Sequence, residues 1–403
     1  MSNRVTWHIL TGEYPPQCGG VGDYTQLLAQ ALLDHGENVH IWCPQSAIAY
    51  SRQEISDDKV RVSPVENLFT AAGRRQFEKH LDQCLGPKII LLQYVPNALG
   101  GCGVNLPFCC WLLRRSRRGD DVRVMFHEPY FYFSWQKPWR NALAVIQRAM
   151  ASTLIAASSL IYVSTTAWKP YLQPYNLRRH TPIVWLPIPS TIPVVSDPGR
   201  VAAVRRQLQS QPESLVIGHF GTYSDTTALQ EVLLELLNRD SNVVVQLLGR
   251  NGEHFSEALC ALHPAWRERV WAFGFLDREH LSIHLQACDF LIQPFRDGAT
   301  SRRTSLMAGL GHGVPTLTNR GFLSESMWLD SGLSLASEDD VSSFVPLADD
   351  LLHNAQRRRE IGELGQQFYN EHFSIATTIR KLLPDVVVQP SHTSLALPPG
   401  TLS

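Results

Sequence analysis

The sequence predicts two successive α/β domains, each built around a parallel β-sheet. Strand-like apolar runs alternate with helix-like segments along most of the chain, a pattern that is typical of parallel sheets. A length of 403 residues exceeds what one hydrophobic core usually serves. The segment 189–211, which begins PSTIPVVSDPGR, separates two such series and is rich in proline, serine and small polar residues. We therefore predict a linker there.

The first series begins with VTWHILT at 5–11, a continuous apolar run of strand length that is followed by the loop EYPPQCGGVG. Apolar residues then recur at helical spacing from Asp23, a candidate N-cap, to Gly36, and the strand ENVHIWCP follows. This βαβ order predicts parallel pairing. Further strands are predicted at 88–94, 122–128, 159–165 and 183–187.

The second series has five strand-like runs, namely ESLVIGHFGTY, NVVVQLLGRNG, VWAFGF, DFLIQPF and PTLTNRG, with helical patterns such as ALQEVLLELLNR between them. We predict an N-terminal domain over 1–190 and a C-terminal domain over 191–384. The segment 385–403 is rich in proline and serine, which predicts a flexible tail.

Composition predicts a cytoplasmic globular protein. The chain is 44% apolar and 18% charged, and its formal net charge of −1 argues against a general nucleic-acid binder. The eight cysteines show no CxxC spacing, which favours a reducing compartment. We expect no export signal, because the N-terminus leads almost directly into a strand, and no run approaches the roughly 20 apolar residues of a membrane span.

Loops that directly follow strands are the first candidates for a site, because ligands bind at the carboxyl ends of parallel strands. Gly19, Gly20 and Gly22 form a cluster where a phosphate or sugar could approach backbone amides, although such a cluster is also typical of a simple turn. His127 ends another strand, where a catalytic role competes with a structural hydrogen bond.

Aromatic residues follow His127 in the segment YFYFSWQKPW. Their faces suit sugar rings, and we predict that Tyr130, Tyr132 and Trp135 contact an acceptor. Packing in a core or interface is the alternative for about half of the rings in this segment.

Two adjacent arginines, Arg302 and Arg303, stand at the start of a small-residue helix in DGATSRRTSLMAGLGHGVP. A helix start favours anions through its free amides and its dipole, so a nucleoside diphosphate is one candidate ligand. A solvated helix face is the other interpretation.

The ordered motifs over about residues 5–380 resemble family 4 of the retaining glycosyltransferases. The resemblance rests on GGVGDYT, His127 after VRVMF, IYVST, FGTY, LLGRNG, WAFGFL and DFLIQPF leading into GHGVPTLT. It implies the GT-B fold, in which two Rossmann-like domains face a central cleft. It also implies transfer of a sugar from a nucleotide-sugar, UDP- or GDP-linked, with retention of anomeric configuration and without a metal or another cofactor.

By this resemblance, His127 contacts the donor sugar, and the donor side includes Gly19, Gly20, Gly22, Gly221, Thr222 and Arg250. The chain departs from the family at the nucleotide helix, where Ser301 and Ala308 replace two glutamates. Thr222 and Thr227 stand where the family has an arginine and a lysine.

These replacements predict that other groups balance the donor's charge. We predict that Arg302 and Arg303 bind the diphosphate, helped by hydroxyl and amide groups of Ser301, Thr304 and Ser305. Asp297 is the candidate that partly replaces the missing catalytic carboxylate.

The acceptor is a sugar, a lipid-linked molecule or another small molecule. Arg114, Arg115, Arg117 and Arg118 end a helical segment, where cations favour the helix dipole. A patch for anionic lipid headgroups is the alternative, which predicts peripheral membrane contact. Two rivals to the transferase remain open: a GT-B protein that binds nucleotide or sugar-nucleotide without catalysis, and a phosphorylase or epimerase on the same fold.

Overall fold

The protein has two parallel β-sheets, as the sequence predicts. In the part of the chain that the structure describes they have seven and six strands, one more each than the sequence predicts. The computed structural model describes residues 4–17, 19–47, 60–84, 86–176, 180–209, 211, 213–224, 226–338 and 340–383. The predicted flexible tail 385–403 lies outside the described residues.

The first sheet has the order β3-β2-β1-β4-β5-β6-β7. Its strands are β1 (Thr6–Leu10), β2 (Asn38–Pro44), β3 (Arg61–Val65), β4 (Lys88–Tyr94), β5 (Asp121–Phe126), β6 (Leu160–Val163) and β7 (Ile183–Trp185). Its helices are α1 (Gly20–Asp34), α2 (Ala71–Gln83), α3 (Leu106–Arg117), α4 (Arg140–Ala157) and the short α5 (Lys169–Leu172). The central strands are buried on both faces, which explains their continuous apolar sequence.

The second sheet has the order β10-β9-β8-β11-β12-β13. Its strands are β8 (Leu215–Phe220), β9 (Val243–Leu248), β10 (Val270–Ala272), β11 (Phe290–Gln293), β12 (Thr316–Asn319) and β13 (Ser334–Ala336). The helices of this half are α6 (Pro198–Leu208), α7 (Thr227–Arg239), α8 (Gly252–Leu262), α9 (Arg278–Gln286), α10 (Thr304–Gly311), α11 (Val341–His353) and α12 (Ala355–His372). A last helix, α13 (Ile375–Leu382), ends the described chain.

Three local features differ from the sequence expectations. The predicted linker contains α6, whose start is capped by Asp197 through a 2.9 Å bond from the Arg200 amide. Helix α1 begins at Gly20 with Gly19 as its N-cap, and Asp23 lies in the first turn. Helix α13 packs against the core of the first sheet through Ile379 and Leu382, although the sequence assigns it to the second domain. The domain boundaries themselves stay a prediction.

Several histidines are part of the cores. His8 on β1 is fully buried, and burial lowers the pKa of its imidazole to about 4. Burial likewise lowers the pKa of His40 on β2 to about 2. Both rings are therefore neutral at pH 7.

Candidate functional site

A cavity of about 920 Å³ lies between the two halves of the protein, at the carboxyl ends of strands from both sheets. The loop between β1 and α1 forms the wall on the first-sheet side. The loops after β8, β9, β10 and β11, together with the start of α10, form the opposite wall. Strand ends of this kind are where parallel α/β sheets bind ligands.

The glycine loop reaches this cavity through Gly19 and Gly20. The Glu13 carboxylate lies at the start of α1 and accepts hydrogen bonds from the amides of Val21 (2.8 Å) and Gly22 (3.0 Å). The fit is close, because a Cβ at Gly19 would lie 2.3 Å from the Glu13 carboxylate. Two backbone amides at the start of α1 are thus already hydrogen-bonded to a carboxylate of the protein. Gly22 is buried and does not line the cavity. The predicted donor role of the loop stays a prediction for Gly19 and Gly20.

Five of the residues predicted for donor binding on the second-sheet side lie together in the cavity wall: Gly221, Thr222, Arg250, Thr304 and Ser305. The loops after β8 and β9 approach each other closely there. Gly249 has a φ of +107°, and a Cβ on it would lie 2.1 Å from the carbonyl oxygen of Gly221. Only glycine permits this approach, which brings Thr222 and Arg250 to the same surface.

The two arginines at the start of α10 also line the cavity, and both are ion-paired with Asp297. Arg302 Nη2 lies 2.6 Å from Asp297 Oδ2, and Arg302 Nη1 lies 3.3 Å from Glu128 Oε1 on the first-sheet side. Arg303 donates to Asp297 Oδ1 and lies over the Phe295 ring, 4.6 Å from its centroid. Burial, and then the neighbouring Arg302, lower the pKa of Arg303. Asp297 is therefore an anchor for two guanidinium groups in this structure.

Two other arginines in the wall have side chains without a partner among the described residues. Arg250 and Arg296 line the cavity, and neither side chain forms a hydrogen bond or ion pair with any residue that the structure describes. Arg278, also in the wall, pairs with Asp23 across the cavity at 3.0 Å. The sequence analysis missed Arg296 and Arg278, although Arg296 follows the strand run DFLIQPF directly and could have been found by that position.

His127 does not line the cavity; it is buried directly behind the end of β5. Its Nε2 lies 2.7 Å from Gln93 Oε1, and its ring packs edge-on against Tyr24 with 5.6 Å between ring centroids. Burial, and then the charge of Arg302, lower the pKa of His127 to about 3, so the ring is neutral. The predicted contact with the donor sugar stays a prediction.

Ser301 is fully buried and lies outside the cavity wall, where it joins the two halves of the protein. Its amide donates to Glu325 Oε2 (3.1 Å), and its hydroxyl accepts from the Trp185 indole (3.2 Å). Glu325 also accepts from the Thr165 hydroxyl on the first-sheet side and from the Trp328 indole (2.8 Å). The sequence analysis missed Glu325, whose carboxylate accepts hydrogen bonds from Ser301 and from the first-sheet side.

The three aromatic residues predicted for the acceptor lie outside the cavity wall. The Tyr130 hydroxyl donates to the Tyr171 carbonyl oxygen at 2.7 Å, so this residue packs at the edge of the core. Tyr132 is 41% exposed and lies 6.1 Å, between ring centroids, from Phe322 of the second half. Trp135 is 99% exposed. Tyr132 is thus the best placed of the three to meet a molecule that enters between the halves.

The arginine cluster at the end of α3 is partly internal. Arg115 is buried and forms close ion pairs with Asp82 (2.6 Å) and Asp120 (2.5 Å), and Arg118 pairs with Glu78 (3.3 Å). The expectation of a lipid-binding patch is therefore wrong for Arg115, because its buried guanidinium group is already paired with two carboxylates of the protein. None of the helices in the described part of the chain combines the length and the hydropathy that a membrane-spanning segment needs.

Solved structures similar to this chain include several glycosyltransferases. The sucrose-phosphate synthase from Thermosynechococcus elongatus matches with a TM-score of 0.70 at 16% identity, over 94% of this chain and 98% of that chain. HepE from Anabaena, solved in complex with UDP and glucose, matches with a TM-score of 0.66 at 14% identity, over 95% and 100% of the respective chains. A glycosyltransferase from Rickettsia africae ESF-5 matches with a TM-score of 0.66 at 14% identity, over 95% and 98%.

No family model and no curated protein matches the chain. The structural similarity at this low identity shows the fold, and membership of family 4 stays a prediction. The chain has the GT-B fold of two parallel-sheet domains.

Proposed function

We propose that this protein transfers a sugar from a nucleotide-sugar donor to an acceptor. The observation that carries the proposal is the charge of the cavity wall. Among the described residues, five arginines line it: Arg250, Arg278, Arg296, Arg302 and Arg303. Asp23, Asp297 and Glu128 pair with three of these arginines, and Asp277 is also in the wall. The side chains of Arg250 and Arg296 therefore remain without an ion-pair partner within the described chain. Guanidinium groups bind phosphate oxygens in pairs, so the excess of cations suits a diphosphate.

The donor that we propose is a UDP- or GDP-sugar. The cavity volume of about 920 Å³ is large enough for a molecule of that size. The similar HepE from Anabaena was solved with UDP and glucose, which supports UDP as the first nucleotide to test.

The arrangement favours catalysis by positioning and charge. Both carboxylates of the described wall have partners: Asp23 pairs with Arg278, and Asp277 caps α9 through the His280 amide at 2.9 Å. The arginines would stabilise the charge that develops on the leaving diphosphate. A phosphate oxygen of the donor would take the proton of the acceptor hydroxyl on the same face, which gives retention of configuration.

A protein that binds nucleotide-sugars without catalysis is the second candidate. Two observations favour it: Asp297 is held by two arginines, and His127 lies behind the cavity wall with its Nε2 engaged by Gln93. Both groups that the sequence nominated for catalysis therefore have structural partners.

Thermal unfolding in a panel of UDP, GDP, ADP and their sugars tests the proposal, because a bound ligand raises the unfolding temperature by mass action. We expect one nucleotide series to stabilise the protein, and its sugar form to be hydrolysed slowly without an acceptor. Binding without any turnover, even with mixed acceptors, supports the second candidate. No stabilisation by any member of the panel contradicts both.

A further inference from the structure

Three histidines meet in the layer between the first sheet and α2, away from the cavity. His8 on β1 and His40 on β2 are directly paired in register, so both side chains point to the same face of the sheet. His80, in the last turn of α2, lies over the same face, with its ring centroid 4.7 Å from that of His40 and 5.7 Å from that of His8. One ring nitrogen of each histidine lies within 4.8 Å of the others.

The hydrogen bonds around the cluster leave nitrogen atoms without partners. His8 Nε2 is buried and has no hydrogen-bond partner within the described chain. A buried polar atom without a partner calls for an explanation, and an ion that is bound there is one such explanation. His40 Nε2 lies 2.8 Å from the Ser63 hydroxyl, which leaves Nδ1 as its second nitrogen. A side chain that holds one nitrogen of a histidine in this way orients the other toward a metal.

From this geometry we infer that His8, His40 and His80 form a site for a divalent late transition metal ion, with Zn²⁺ as the best match. Imidazole nitrogens are preferred ligands of Zn²⁺, and three of them with one open position make a common coordination set. His80 is half-buried, so water can reach the site and supply the fourth ligand.

Binding requires small movements that the surroundings permit. Zn–N bonds of about 2.0 Å at tetrahedral angles place ligand nitrogens about 3.3 Å apart, so the rings must close on the ion. His8 must carry its proton on Nδ1 when Nε2 binds the metal, and the Trp42 indole then gives up its long 3.3 Å bond to Nδ1. Arg61 and Lys88 act electrostatically on His8 and oppose a cation. Because of this opposition we expect moderate affinity.

The ion would link strands β1 and β2 to helix α2, on one face of the first sheet. Since none of the three histidines lines the donor cavity, the site concerns the stability of this half of the protein and is independent of the proposed transfer reaction. Its test therefore needs no substrate.

Titration of the EDTA-treated and dialysed protein with Co²⁺ tests the site, because tetrahedral Co²⁺ absorbs visible light much more strongly than the hydrated ion. We expect one equivalent of Co²⁺ to bind with the tetrahedral spectrum and to be displaced by Zn²⁺. We also expect Zn²⁺ to raise the unfolding temperature of the protein. The parent protein binding no metal, or showing only the spectrum of hydrated Co²⁺, would overturn the inference.

His80→Gln is the informative variant, since His80 is partly exposed and its loss leaves the buried pair in place. We expect the affinity for Co²⁺ to fall by more than about 10-fold, the loss that even outer partners of a metal site cause. His280→Gln is the matched control, because His280 is an exposed histidine that lies beside Asp277 and could hold adventitious metal. Equal metal affinity in His80→Gln and the parent, or loss of the bound equivalent in His280→Gln alone, places the ion elsewhere and refutes the site.

Discussion

The two arginines at the start of α10 should have different roles, and substitution of each one separates them. Arg302 contacts carboxylates from both halves of the protein, Asp297 and Glu128, and therefore lies at the mouth between them. Among the described residues, Arg303 pairs with Asp297 alone, and it lies over the Phe295 ring. We predict that Arg302→Ala weakens binding of the nucleoside diphosphate, whereas Arg303→Ala chiefly lowers stability.

The size of each effect follows from the contacts. A hydrogen bond to a charged group contributes about 1.5–3 kcal/mol, so Arg302→Ala should raise the Kd for UDP by about 10- to 150-fold. Arg303→Ala removes one of two cations from Asp297, which keeps Arg302. Because the pair is partly exposed, with 29% and 13% of the two side chains accessible, we expect a loss of about 1 kcal/mol in the free energy of unfolding.

Isothermal titration with UDP and with uridine provides the assay. Binding of uridine should be unchanged in both variants, because uridine lacks the phosphates. The Kd of Arg302→Lys for UDP should lie between those of Arg302→Ala and the parent, since lysine keeps the positive charge but lacks the paired N–H donors of the guanidinium group. Arg267→Ala is the control, an exposed arginine near the start of β10 and outside the cavity wall. Parent-like UDP affinity in Arg302→Ala, or a larger loss in Arg303→Ala, would refute this division of roles.

Four further predictions concern other residues of the site. The pKa of His127 is lowered from 6.5 to about 3, so between these pH values the unfolded chain binds a proton at this residue and the folded chain does not. The stability that is present above pH 6.5 is therefore lost as the pH falls toward 3. His127→Gln should make the loss of stability with falling pH less steep, as measured by circular dichroism during acid unfolding. Arg250→Ala should weaken UDP binding by about 10-fold in titration calorimetry, at the low end for charged hydrogen bonds because the side chain is exposed. Glu325→Gln should lower the free energy of unfolding in urea by about 1–3 kcal/mol, because an amide NH₂ would face donors at the contact between the halves. Tyr132→Ala should reduce transfer to acceptor, relative to donor hydrolysis, more than Trp135→Ala does, and equal ratios would count against an acceptor role for Tyr132.

The strands and their parallel pairing could be predicted because buried strands of parallel sheets are continuous apolar runs. Helix α6 was misread as linker because its segment contains prolines, yet Asp197 followed by Pro198 is an N-cap followed by a favoured first helical residue. The packing of α13 on the first half of the protein could not be predicted from local pattern, since its partner α1 is more than 300 residues away in the chain.

Some residues that line the cavity on the second-sheet side could be predicted, because they directly follow strands or begin a helix. Arg302 and Arg303 were found from the sequence by their place at the start of a helix, whereas Thr222 and Arg250 were named through the family resemblance. All four line the cavity. Their partners were not predictable, because the pairing of Asp297 with both arginines depends on how the loop after β11 turns. Glu325 gave no sequence signal, since only the fold brings it to Ser301 and Thr165.

The central claim is that the cavity between the two sheets holds the donor nucleotide, and a side chain that fills this cavity tests it most directly. Thr222 is exposed in the wall, so Thr222→Trp should occupy the space without disturbing the core. Asn242→Trp, exposed at the amino end of β9, is the matched control. Measured by titration with the nucleoside diphosphate that stabilises the parent, binding should be lost in Thr222→Trp and kept in Asn242→Trp, with both variants folded. Parent-like binding in folded Thr222→Trp would contradict the account.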